Sequence, residues 1–357
     1  MNKKLYLHIG YPRTATTTFQ RHLYSKHPAI NYFGKYIDFH LTGDLKNKFH
    51  QNINYILDEI LNKTESEYLK QYNKLLKSIK KLKLDDSKIN LFSEEYIILK
   101  AIYYKSAKKN KLKKFLIRVN NIFKDANIDI FFIITIRKQS DFLISLHNAT
   151  YTAASSNFFS PFDLVDLFKS KKSKNERIKI FTEGLLYFDV FKNLIQDTKN
   201  VKFFIYEELK NNKEEYLREF SSYLNINFEI CKKLLQDKEE NSSKIINREN
   251  PHMVNIFQAI YFKIKRNLSY KLSFKFLIIK TYAFLYFLIN FLIQKFQSIP
   301  DKKNYKEPKE NFKVNLSKKV NKNKNFFKEN ERLITNFYHD DINNLSKEIE
   351  KNLKNYL

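Results

Sequence analysis

Cysteine is almost absent from this chain: Cys231 is the single one in 357 residues. One thiol excludes any intrachain disulfide, and that usage suits a reducing cytoplasm. Tryptophan is missing, and there are only 4 glycines, 6 prolines and 2 methionines. With Lys, Asn, Ile and Phe abundant, the balance looks like the amino-acid bias of an AT-rich genome. The 8 histidines, at 8, 22, 27, 40, 50, 147, 252 and 339, show no metal-ligand spacing, so no metal centre is expected. At the start, Lys3 and Lys4 precede an apolar run that Gly10 and Pro12 end too soon for a secretory signal. It reads as a first strand. Further on, Leu272 to Ile293 is very apolar, but Lys275 and Lys280 interrupt it and leave only Thr281 to Ile293 uncharged. A membrane span needs about 20 apolar residues.

What is plentiful is positive charge. Sixty-five Lys and Arg against 38 Asp and Glu leave a net charge of +27. That suits an anionic nucleotide, an acidic glycan, a membrane surface or nucleic acid. The basic residues are spread through helical stretches such as 67–83 and 105–118 and do not collect on one recognition helix. No zinc-finger, RNA-recognition or helix-turn-helix pattern accompanies them, so a nucleic-acid partner is not expected. A length of 357 residues with 43% hydrophobic content is enough for one large α/β domain with a smaller appendage.

Residues 5–20, LYLHIGYPRTATTTFQ, run from an alternating apolar strand through Gly10 into a hydroxyl-rich turn and then a helix. Such a turn presents backbone N–H groups and the positive end of a helix dipole, which is how a chain holds a phosphate. Arg13, Thr14, Thr16, Thr17 and Thr18 add charge and hydroxyl donors. The triphosphatase pattern G-x-x-x-x-G-K-[ST] fails, because Ala15 and Thr16 stand where its second glycine and lysine belong.

A second element has the same form. Residues 128–136, IDIFFIITI, form a continuous apolar run of the kind buried on both faces of a parallel sheet, and Arg137 follows. Eight residues further on, Ser145 lies in a helical stretch. Shorter strands are expected at 89–92 and 201–206. Helical stretches at 14–26, 64–83, 107–124, 140–150, 181–196 and 212–224 alternate with them, which implies right-handed βαβ crossovers. In such sheets ligands sit at the carboxyl ends of the strands.

These residues resemble a known family. Residues 8–17, HIGYPRTATT, are similar to H-I-G-x-x-[KR]-T-G-T-T, the 5'-phosphosulfate loop of sulfotransferases that use 3'-phosphoadenosine 5'-phosphosulfate (PAPS). Arg137 and Ser145 resemble the same family's 3'-phosphate motif, with Gln139 where proline is frequent. Tyr206 to Leu209 resembles its Tyr-Glu-x-Leu segment, and Leu224-Asn225-Ile226 a small apolar unit after it. The likeness covers roughly residues 4–250. It implies an α/β fold with a mostly parallel central sheet flanked by helices, P-loop-like, and PAPS as donor without a metal. Arg13, Thr14, Ala15, Thr16, Thr17 and Thr18 would then hold the phosphosulfate, and Arg137 and Ser145 the 3'-phosphate. Lys244 and Arg248, in the loop that the family closes over the nucleotide, would add phosphate contacts, with a solvated linker as the other reading. Two departures stand out. Arginine replaces the commoner lysine at 13, with a wider planar fork. Alanine replaces glycine at 15, so the backbone there is expected to hold an angle that tolerates a Cβ.

Sulfuryl transfer needs a base and positive charge on the leaving phosphate. Arg13 is assigned the charge, and Glu94, after the strand at 89–92, the base, by likeness to glycan sulfotransferases. Glu95 is the neighbouring alternative, and the plain structural reading is that Ser93 caps a short helix whose positive end both carboxylates favour. A histidine base is the competing idea, but His8 reads as a hydrogen-bonded sheet residue. The acceptor implied is a carbohydrate hydroxyl, less readily an amine, on a cell-surface or lipid-linked glycan. A phosphoryl-transfer enzyme on a related fold and a non-catalytic basic membrane-associated protein are the alternatives.

Domain organisation reads as 1–250 for the α/β domain and 251–357 for a helical C-terminal region. Within the latter, 272–293 forms an apolar helix that is buried, interfacial or spanning, and 301–328 a basic linker. A terminal amphipathic helix is expected from Glu329 to about Leu353, docked on the domain. Peripheral membrane contact through 272–293 would place the protein in the cytoplasm, at the inner face of the membrane.

Overall fold

The computed structural model describes residues 2–34, 48–103, 107–151, 161–170, 175–236, 238 and 325–356. The expectations for Lys244, Arg248, the apolar stretch 272–293 and most of the basic linker lie outside the described residues.

Among the described residues five strands form one sheet: β1 (Lys3–His8), β2 (Ile30–Tyr32), β3 (Ile89–Ser93), β4 (Ile128–Ile136) and β5 (Val201–Ile205). Their order is β2-β3-β1-β4-β5, and every neighbouring pair is parallel. This is the helix-flanked α/β architecture expected, with a sheet that is parallel throughout where a mostly parallel one was expected. β1 is central, held by β4 along its full length, from Lys3 opposite Ile128 to His8 opposite Ile133. The chain leaves β1 for the β2 side of the sheet and leaves β4 for the β5 side. Their carboxyl ends therefore flank the point where connections diverge, and a crevice opens there in such sheets.

Strand alternation feeds two cores, one on each face. Leu5, Leu7 and Ile9 of the first strand join Ile128, Ile130, Phe132, Ile134 and Ile136 in the larger cluster. Tyr6 and Ile133 point the other way, into a smaller cluster with Phe19, Tyr24, Tyr216, Phe220 and Cys231. Helices flank both faces. The larger core is covered by α2 (Lys48–Asn62), α3 (Glu65–Lys80), α4 (Tyr96–Ile102), α5 (Lys111–Asp125), α6 (Gln139–Tyr151), α7 (Pro161–Ser170), α8 (Glu176–Glu183) and α9 (Tyr187–Asp197). The smaller is covered by the helix after β1, which opens as α1 (Thr16–Thr18), and by α11 (Lys213–Leu224) and α12 (Phe228–Leu235); the short α10 (Tyr206–Asn211) follows β5 directly.

A C-terminal helix, Glu331–Glu348, packs against α6, α7 and α9. Its Ile334, Tyr338, Ile342 and Leu345 recur at helical spacing and are fully buried in the same cluster as β1 and β4. Each such side chain contributes about 1.5–3 kcal/mol of burial. The Asp341 carboxylate accepts from the backbone N–H groups of Phe188 (3.0 Å) and Asp189 (2.9 Å), and burial pushes its pKa up to about 6. It thereby caps α9 from across the core.

The single helical stretch expected over 181–196 is two helices, α8 and α9, parted at residues 184–186. The break follows from packing. A Cβ built on Gly184 would lie 2.5 Å from Cγ2 of Ile102, and the Gly184 carbonyl accepts the Tyr11 hydroxyl at 2.6 Å. Gly184→Ala should therefore overpack this contact and cost about 1–3 kcal/mol, measured as a lower denaturant midpoint with an unchanged slope.

Candidate anion-binding site at the strand tips

The loop after β1 is Gly10 to Ala15. Its backbone is anchored to β4, since Ile9 N–H donates to Ile133 O (3.1 Å) and Tyr11 N–H to Thr135 O (2.9 Å). Arg13 (φ 68°) and Ala15 (φ 60°) are both left-handed, which turns the chain sharply into the helix beginning at Thr16. This corrects the expectation for Ala15: the angle there is one that a Cβ penalises. Thr14 is buried, and its hydroxyl donates to Tyr11 O (2.5 Å) and lies 3.3 Å from the Thr16 hydroxyl. Thr16 and Thr18 are buried as well, whereas Thr17 and Arg13 are half-buried. From Phe19 to Tyr24 the helix widens to a π-helix, with Ser25 N–H reaching back five residues to Gln20 O.

Beneath the loop lies a buried polar floor. His8 Nδ1 is 2.9 Å from Ser93 Oγ and 3.2 Å from the Tyr24 hydroxyl, and His8 Nε2 is 3.1 Å from Thr135 Oγ1. Burial lowers the His8 pKa to about 3, which keeps the imidazole neutral. It is a hydrogen-bonded sheet residue. Gly10 sits on this floor: a Cβ there would lie 3.1 Å from both His8 Nε2 and Thr135 Cβ.

Arg13, Arg137 and Ser145 meet at the tips of β1 and β4. Arg13 Nε–H donates to Ser145 Oγ at 3.1 Å, and Arg137 Nη1–H donates to the Arg13 carbonyl at 2.8 Å. Burial lowers the Arg13 pKa, and the Arg137 guanidinium lowers it further, because two like charges share one partly desolvated place. The Arg137 guanidinium carbon stands 4.6 Å from the Tyr206 ring centroid, a cation–π contact. Its Nε is buried and has no hydrogen-bond partner among the described residues. The arrangement offers guanidinium and hydroxyl donors to an anion, with the positive charge already concentrated. The Arg13–Ser145 bond also means that the residue assigned to the 5' end lies against a residue assigned to the 3' end.

Glu94 follows β3 beside β1, with its N–H on His8 O at 3.1 Å. Its side chain is 5% exposed, and Oε1 accepts from Tyr96 N–H at the start of α4 (3.1 Å). Glu95 is half-buried, and its Oε2 accepts from Gln20 Nε2 (3.0 Å), which ties α4 to the helix after the loop. Ser93 caps nothing; its hydroxyl belongs to the His8 floor, where Gln20 also reaches it at 3.1 Å. Glu207, within the Tyr206–Leu209 segment, accepts from Lys138 N–H (3.0 Å) and from the Tyr356 hydroxyl (2.5 Å). Burial raises its pKa, and the Arg137 charge opposes that rise. Nothing in the local sequence marks it, since its partners lie 69 and 149 residues away. Among the described residues no group of three or more His, Cys, Asp or Glu is placed to hold a metal, and no helix is long and apolar enough to cross a membrane.

Fold and site together define a class: an α/β protein with an all-parallel sheet and two arginines gathered at the strand tips of its switch point. No family profile matches the chain, and no curated protein matches it. Among solved structures the chain is similar to the crystal structure of a sulfotransferase from Alicyclobacillus acidocaldarius, with a TM-score of 0.43 and 11% identity over 100% of this chain and 99% of that one. A likeness at that level says nothing of what this chain binds or transfers.

Ala15→Gly should relieve the left-handed Cβ penalty and raise stability by about 1 kcal/mol, less the entropy that glycine adds to the unfolded chain. A loss of about 0.4–1 kcal/mol in equilibrium denaturation, the full entropic cost of glycine, would show that the alanine is unstrained.

Proposed function

We propose that this protein is a PAPS-dependent sulfotransferase acting on a carbohydrate hydroxyl of a cell-surface or lipid-linked glycan. The observation that carries the reading is the meeting of Arg13, Arg137 and Ser145 across the tips of β1 and β4. A donor with phosphate at 3' and phosphosulfate at 5' supplies anions to such a place, and the unpartnered Arg137 Nε is a fit for one of them. The loop's likeness to the phosphosulfate pattern supports the choice of PAPS over a triphosphate, as does the missing Walker lysine.

In this reading Arg137 and Ser145 hold the 3'-phosphate, and the loop residues Arg13 to Thr18 hold the phosphosulfate. Arg13 stabilises the negative charge that develops on the departing bisphosphate during in-line displacement at sulfur. Glu94 takes the proton of the acceptor hydroxyl, and the Tyr96 amide donating to its Oε1 holds the carboxylate in orientation. Glu95, tied to Gln20, is the alternative base.

Adenosine 3',5'-bisphosphate should raise the melting temperature of the full chain, while ATP with Mg²⁺ should not. Arg137→Ala should weaken bisphosphate binding about 10-fold or more, because a charge-assisted fork is lost. Preference for ATP, or unchanged affinity in the variant, would remove the donor reading. With labelled PAPS and extracted envelope glycans, Glu94→Gln should bind bisphosphate as the wild type does and slow transfer by about 10²-fold or more. Full activity would move the base elsewhere.

A further inference from the structure

The residues around Arg137 are held from the far end of the chain. The tie runs through six contacts. Tyr356, 3% exposed, donates its hydroxyl to Glu207 Oε2 at 2.5 Å. The other oxygen of that carboxylate accepts from the backbone N–H of Lys138, the residue after Arg137, at 3.0 Å. Glu331, at the start of the C-terminal helix, pairs with Lys138 Nζ at 2.9 Å. Asp341 caps α9, whose first residue Tyr187 donates its hydroxyl to the Arg137 carbonyl at 2.7 Å.

The same tail is clamped beside this point. Lys351 Nζ bridges Glu208 (2.9 Å) and Glu219 (2.7 Å), which fixes it to the segment after β5. Glu207 lies in that segment, next to Tyr206, whose ring faces the Arg137 guanidinium. The carboxylate that faces the Arg137 charge is therefore oriented by a hydroxyl contributed by residue 356. Arg137 and Arg13 repel each other, so without fixed partners the Arg137 side chain would relax toward solvent.

We propose that Tyr356 and Glu331 are positioning residues that act through Glu207 and Lys138 to pre-set Arg137 for the anion it binds. The C-terminal helix and tail thereby form part of the donor site without touching the donor. This inference rests on the proposed donor reading. Its energetic form is preorganisation: ordering Arg137 before binding removes that cost from the binding step.

Direct titration of the full-length protein with adenosine 3',5'-bisphosphate tests it. Tyr356→Phe keeps the buried ring and removes the hydroxyl alone, and Glu331→Gln keeps the shape of a half-exposed side chain and removes its charge. Each should weaken binding roughly 3- to 10-fold, the size of one hydrogen bond. In an Arg137→Lys background, which retains a cation but loses the fork, the same substitutions should have little further effect, because the residue they position is gone. A purely structural role gives a different pattern. Unchanged affinity in both variants, or an equal loss that persists in the Arg137→Lys background, would overturn the proposal. If the wild type fails to bind bisphosphate, the donor reading falls first and the positioning role with it. Binding by the wild type with no effect of either variant leaves the donor reading in place and removes only the positioning role.

Discussion

Two guanidinium groups that repel each other, Arg13 and Arg137, are brought together at adjacent strand tips, and the structure around them is organised to hold that conflict. The sheet register brings β1 and β4 side by side along the whole of β1, so the residues that follow them must emerge together. The left-handed turn at Arg13 places its carbonyl within reach of Arg137. Tyr206 offers an aromatic face and Glu207 an opposing charge. Held in this way, the pair keeps two positive charges together in a partly desolvated place, where Coulomb interactions are stronger than in water.

The same constraint explains why the core is shared so widely along the chain. Tyr187 sits at the head of α9 and holds the Arg137 carbonyl, while the C-terminal helix caps α9 through Asp341 and buries Tyr338 against it. Residues separated by more than 150 positions thus join one hydrophobic cluster with the central strands. Burial on both sides of the sheet supplies the rigidity that keeps two like charges from drifting apart. The neutral His8 floor does the same from below, since its hydrogen bonds tie the tips of β1, β3 and β4 to the helix after the loop.

Much of the fold was legible because its strands are long or uniformly apolar. The run at 128–136 could be read with its bounds intact, and those at 89–92 and 201–206 within a residue, because β-branched and aromatic residues buried on both faces leave a continuous signal. β2 was not legible: three residues carry no period, and only the tertiary register with β3 makes Ile30–Tyr32 a strand. The break at Gly184 was hidden for a related reason, since the helical pattern continues across it and the cause is Ile102, far away in sequence.

At the site, the sequence by itself determined which chemistry was available: the loop's hydroxyls, Arg13, and an arginine and serine eight residues apart after a buried strand. Local spacing encodes these, because strand and helix periodicities are properties of consecutive residues. Only the tertiary structure decided that Arg13 would lie on Ser145, that Ala15 would take a left-handed angle, that Glu94 would be buried against an amide, and that Tyr356 would reach Glu207. Those outcomes depend on long-range contacts and on the electrostatics of burial, which arise when distant segments compete for the same space and which no stretch of neighbouring residues contains.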